Sequence, residues 1–126
     1  MGFARARAAA GRGLRDVLVR LFFALQHRRV RLLAVAFVTG QVCDTLTTHV
    51  ALASGRFAEA NPFFAPALAT DHQALAMGLK LGLSLAVLVA ALTRLADPRR
   101  QVVMLVLAFI SLEAPAANGL RILGLL

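Results

Sequence analysis

Tryptophan and tyrosine are absent from this chain of 126 residues, cysteine occurs once, and 6 acidic residues face 14 Lys and Arg. The lone Cys43 excludes an intrachain disulfide and a cysteine-based zinc knuckle; it reads as a small packed residue. With no Tyr or Trp interleaved among the arginines and no recognisable reading module, the basic character does not point to nucleic acid. Nucleophile motifs, metal-ligand spacings and Gly-rich phosphate loops are missing too, which weighs against an enzyme. No cofactor or metal is named by any motif.

What the chain does contain is apolar. Its hydrophobic share is 60% and its mean hydropathy +0.76, whereas soluble domains hold about 45 to 50% apolar residues. The expected fold is all-α: a small membrane helical bundle with three transmembrane helices preceded by an amphipathic interfacial helix. Residues 30–53, 74–93 and 102–122 are the expected spans, each long enough for a hydrocarbon core of about 30 Å. Ser54-Gly55-Arg56 ends the first, and Asp97-Pro98 supplies the turn in the short basic connection from Arg94 to Arg100.

Residues 1–13, mostly Ala, Gly and Arg, have little to pack and read as a mobile basic tail. In residues 14–29 the apolar positions Leu14, Val17, Leu18, Leu21, Phe22 and Leu25 recur at helical spacing among Arg15, Asp16, Arg20 and Gln26. That pattern suits a helix lying in the membrane interface, although periodicity alone does not separate it from a rod continuous with the first span. Eight of the 14 basic residues fall between Arg5 and Arg31, so anionic membrane lipids are expected partners. The arm and the Arg94–Arg100 turn share one side, and the positive-inside rule puts the amino terminus in the cytoplasm and the carboxyl terminus outside, across the plasma (inner) membrane. Arg28-Arg29 ahead of an apolar run superficially resembles a twin-arginine export signal, but Asp44 interrupts that run.

Asp44, Lys80 and Glu113 each lie within one of the three apolar segments. At about 1.5 Å per residue, Asp44 is about 21 Å from Val30, Lys80 about 9 Å from Ala74 at the opposite edge, and Glu113 about 16 Å from Val102, so all three fall at similar depth. An ionisable group there costs roughly 2.5 to 3.5 kcal/mol on insertion scales and usually pairs inside a bundle.

Helical geometry sorts their neighbours. Gly40, Gln41, Thr47, Thr48 and Ala51 fall within about 60° of Asp44, whereas His49 is about 140° away, which argues against an Asp44 and His49 metal pair. On the second span Ala74, Gly78, Gly82, Ala86 and Ala90 form a small-residue stripe suited to close helix approach, with Lys80, Ser84 and Met77 nearly opposite. Three spans enclose little interior, so a homo-oligomer or a partner membrane protein is expected. On the third span Pro115 frees the carbonyl of Ser111, and Asn118-Gly119 follows. This reads either as a broken helix lining a cavity or as a simple kink. The loop Glu59-Ala60-Asn61-Pro62, followed by Phe63-Phe64, is a polar turn expected above the outer side of the charged layer.

Asp44-x-x-Thr47-Thr48, Gly55, Glu59-x-Asn61-Pro62 and the intramembrane Lys80 together resemble the pattern of a family of small prokaryotic membrane proteins of unknown function. The resemblance runs from about Gln41 to the end and implies a few transmembrane helices without implying an activity. The candidate ligand-binding residues are Asp44, Thr47, Thr48, Glu59, Asn61, Lys80, Ser84, Glu113 and Asn118. Two carboxylates against one ammonium leave a formal charge of −1, which a bound cation or proton would neutralise; a lipid headgroup is the third ligand considered. The alternative is an assembly protein whose buried charges specify helix packing. A lipid-modifying enzyme, with an acid as base and Lys80 holding a phosphate, has the least support.

Overall fold

The computed structural model describes the backbone of residues 2–53, 66 and 73–125, and the side chains of 13–53, 66 and 74–125. Within them the fold is all-α, with four helices and no strand: α1 (Gly2–Gln26), α2 (Arg28–Ala53), α3 (Gln73–Arg94) and α4 (Asp97–Ile122). Three of these, α2, α3 and α4, are long and apolar enough to cross a membrane. Most of their surface points outward and is apolar, with Leu75 and Phe109 each 73% exposed. Water would oppose such a surface and a bilayer would solvate it.

The helix ends follow local chemistry. Pro98 falls in the first turn of α4, where a missing N–H costs nothing, beside the acidic Asp97; Arg121 lies in its last turn, and both charges suit the helix dipole. Gly124, at a φ of 70°, takes the left-handed conformation just past the end. The Arg100 guanidinium donates from Nε and Nη2 to the Leu95 carbonyl at 3.1 and 2.7 Å, and from Nη1 to Asp97 Oδ1 at 2.7 Å. It thereby satisfies a carbonyl left open where α3 ends.

α4 is helical straight through Pro115 to Ile122. The broken-helix reading is therefore corrected: the proline removes one donor, but the flanking turns hold.

Helix α1 does not extend the first span. The chain bends at His27, and Arg20 Nη1 donates to the Thr93 carbonyl at 3.4 Å, which lays α1 alongside the end of α3. Ala24, 1% exposed, packs with Val30, Ala34, Leu88, Leu92 and Met104, flanked by Leu21 and Leu25. Helical backbone begins at Gly2 and so includes the residues that composition alone presents as a mobile tail.

Two seams join the spans. On α2 the buried positions are Val30, Ala34, Phe37, Gly40, Asp44 and Thr48, and on α4 they are Met104, Ala108 and Ser111. Gly40 meets Ser111, and Thr48 meets Asn118; the numbers rise together, so α2 and α4 run parallel. Against α3 the order reverses, because Gln41 pairs with Ser84 and Asp44 with Lys80. Both seams are apolar at the end where α1 packs and polar towards the other.

Candidate functional site

The polar ends of these seams meet at Asp44. Its side chain is 8% exposed, and Oδ2 lies 2.6 Å from Lys80 Nζ, whose side chain is 21% exposed. The other carboxylate oxygen, Oδ1, accepts a hydrogen bond from Asn118 Nδ2 at 3.2 Å. One carboxylate thus ties three helices together: its own α2, α3 through Lys80 and α4 through Asn118.

The hydroxyls of α2 complete the cluster. Thr47 Oγ1 donates back to the Cys43 carbonyl at 2.9 Å, which leaves a lone pair for Asn118 Nδ2 at 3.4 Å. Thr48 Oγ1 accepts from the same nitrogen at 3.4 Å. An amide carries two hydrogens and meets three oxygens here, so the shorter contact to Asp44 is its main bond and the hydroxyls share the remainder. One turn away, Ser84 Oγ donates to Gln41 Oε1 at 2.7 Å.

Of the nine candidate residues, Asp44, Thr47, Thr48, Lys80 and Asn118 converge, and Ser84 sits one turn off through Gln41. Glu113 does not join them. Its side chain is exposed, and it makes no hydrogen bond or ion pair with any described residue. The reason is angular: Asn118 lies about 140° from Glu113 at 100° per residue, so both cannot face Asp44. Glu59 and Asn61 lie outside the described residues.

The charge arithmetic changes accordingly. Among the described residues, one carboxylate and one ammonium leave the buried cluster formally neutral, without the −1 that counting Glu113 would give it. Among the described residues no group of three His, Cys, Asp or Glu is placed to hold a metal, and both His49 and Cys43 are exposed.

Two residues outside the candidate set matter to this site. Gln41 already stands on the Asp44 face by helical angle and becomes the partner of Ser84. Gly40 is a close approach of α2 to α4, seated against the backbone of Ser111, the residue whose carbonyl Pro115 deprives of its intrahelical donor. The small-residue stripe of α3 faces the other way: a Cβ at Gly78 or Gly82 would meet no described atom within 4 Å.

A family model described as a domain of unknown function, DUF5658, matches residues 35–114. The chain belongs to this family. The match includes Gly40, Asp44, Lys80, Ser84, Ser111 and Glu113, and leaves out α1 and Asn118. No curated protein and no solved structure matches the chain.

Proposed function

We propose that this DUF5658 protein is a membrane assembly module, in which a neutral clasp of buried charges sets how three apolar helices pack and the outward faces meet further copies of the chain or a partner membrane protein. The observation that carries this reading is that each oxygen of the Asp44 carboxylate has a partner from its own chain, Lys80 on one and Asn118 on the other. A cation would in addition meet the Lys80 ammonium, which already balances the Asp44 charge. Buried ion pairs add little net stability over apolar packing, but one partner without the other is strongly destabilising, which makes such a pair suited to specifying a single arrangement.

The outer surface supports the same reading. Glu113 is an exposed carboxylate within an apolar span, and the α3 stripe at Gly78 and Gly82 is open. Intramembrane carboxylates normally face protein or a water-filled cavity, and small-residue stripes let another helix approach. By the positive-inside rule the Arg-rich end belongs in the cytoplasm, with the clasp towards the outer half of the plasma membrane.

The test is a double-mutant cycle on the full chain in detergent or bilayer, following unfolding and native mass. Asp44→Asn and Lys80→Met each leave one buried charge alone and should cost about 3 to 5 kcal/mol, with the double variant recovering most of the loss. Recovery of fold and oligomer supports assembly; a double variant that remains as unstable as the singles sinks it. A second reading draws on Lys80, which is partly exposed and bonded, among the described residues, to one carboxylate: its remaining N–H groups would hold an anionic headgroup. Under that reading the double variant regains its fold but loses a lipid that the wild type retains.

A further inference from the structure

Where α1 crosses the end of α3, basic side chains from three elements converge at a cleft of about 520 Å³. Arg20 comes from α1, His27 from the bend after it, Thr93 and Arg94 from the end of α3, and Asp97 and Arg100 from the start of α4. We propose that this cleft binds the phosphate of an anionic phospholipid. The site is separate from the Asp44 clasp and does not depend on the role assigned to it.

Three arginines against one carboxylate leave the cleft at a formal +2 with His27 neutral. Arg100 is committed to the Leu95 carbonyl and to Asp97, and His27 Nε2 sits 3.8 Å from the same Asp97. Arg20 spends one N–H on the Thr93 carbonyl and keeps the rest of its fork. Arg94 is exposed and has no hydrogen-bond or ion-pair partner among the described residues. Both arginines also line a neighbouring cleft of about 260 Å³ that includes Asp16, so the open basic groups of this corner are shared between two recesses. Guanidinium forks match phosphate oxygens bidentately.

Depth and apolar surface identify the phosphate as a lipid's. The cleft lies where the apolar length of α3 gives way to Thr93 and Arg94, beside the exposed rings of Phe22 and Phe23 on α1. A phosphate held at the end of an apolar span lies at the level of lipid headgroups, where a phospholipid presents one.

The full chain, purified in detergent and exposed to equal amounts of phosphatidylglycerol and phosphatidylcholine, is examined by native mass spectrometry. We expect phosphatidylglycerol to be retained preferentially. Arg94→Gln, which breaks no side-chain hydrogen bond or ion pair among the described residues, should weaken retention about tenfold, the loss of one charge-assisted hydrogen bond, and Arg20→Gln with Arg94→Gln should weaken it further. Arg28→Gln with Arg29→Gln removes the same charge from exposed positions outside the cleft and should leave retention intact. Equal loss in that control pair, equal retention of phosphatidylcholine, or displacement of the lipid by excess inorganic phosphate would overturn the proposal.

Discussion

Gly40 and Ser111 meet so closely that a methyl group on Gly40 would lie 2.5 Å from the Ser111 carbonyl oxygen and 2.6 Å from its hydroxyl. Both neighbours are fixed, the first as backbone and the second by its bond to the Ala108 carbonyl at 2.9 Å. The parallel packing of α2 on α4 therefore depends on glycine at this point.

Gly40→Ala should destabilise the fold by about 1 to 3 kcal/mol, the usual cost of overpacking, despite the better helix propensity of alanine. Unfolding in mixed micelles measures it. Gly82→Ala is the contrast, since nothing stands within 4 Å of its Cβ position: it should leave monomer stability unchanged or slightly raised, and any fall in oligomer mass would place the α3 stripe in an interface. A wild-type-like Gly40→Ala protein would contradict the close approach.

Asn118→Ala removes the hydrogen bond from α4 to the buried carboxylate and leaves Asp44 Oδ1 without a donor among the described residues. An expected loss of about 1 to 3 kcal/mol follows from stranding a buried acceptor. Combined with Asp44→Asn, the two losses should be less than additive, because both act on one bond. Strict additivity would mean that the amide stabilises α4 by some other route.

Glu113→Gln should change the stability of the isolated protomer by no more than about 0.5 kcal/mol, as for an exposed group without partners. Its effect belongs to association. Oligomer mass and dissociation in rising detergent should change if this carboxylate meets another chain, and identical association in both proteins would remove Glu113 from the proposed outward contact.

Cys43 offers a probe of the membrane reading. It is the sole cysteine and is exposed on α2, where hydrocarbon would keep a charged reagent away from it. A charged methanethiosulfonate added to intact vesicles should fail to label it, while labelling in denaturing detergent goes to completion. Rapid labelling in vesicles would put this face of α2 in water.

Much of this architecture was legible in order of residues alone. Length and hydropathy make three membrane-compatible helices all but unavoidable, since a backbone in hydrocarbon must satisfy its own hydrogen bonds. Helical angle places Gly40, Gln41, Thr47 and Thr48 beside Asp44 and turns Lys80 away from the glycine stripe, because those relations lie within one helix. Relations between helices are another matter. Depth counting treats Asp44, Lys80 and Glu113 as equivalent, yet rotation of α4 about its axis decides which of its polar residues faces inward, and Asn118 and Glu113 cannot both do so. Tertiary packing chose Asn118, held by the Gly40 approach to Ser111 a little below it. The same packing folds α1 back at His27 and brings Arg20 to Thr93, a contact 73 residues apart in the chain. Sequence determined which elements form and which residues share a face of each; only the packed bundle decided which faces meet, because rotation and register between helices are set by side-chain fit across the seam.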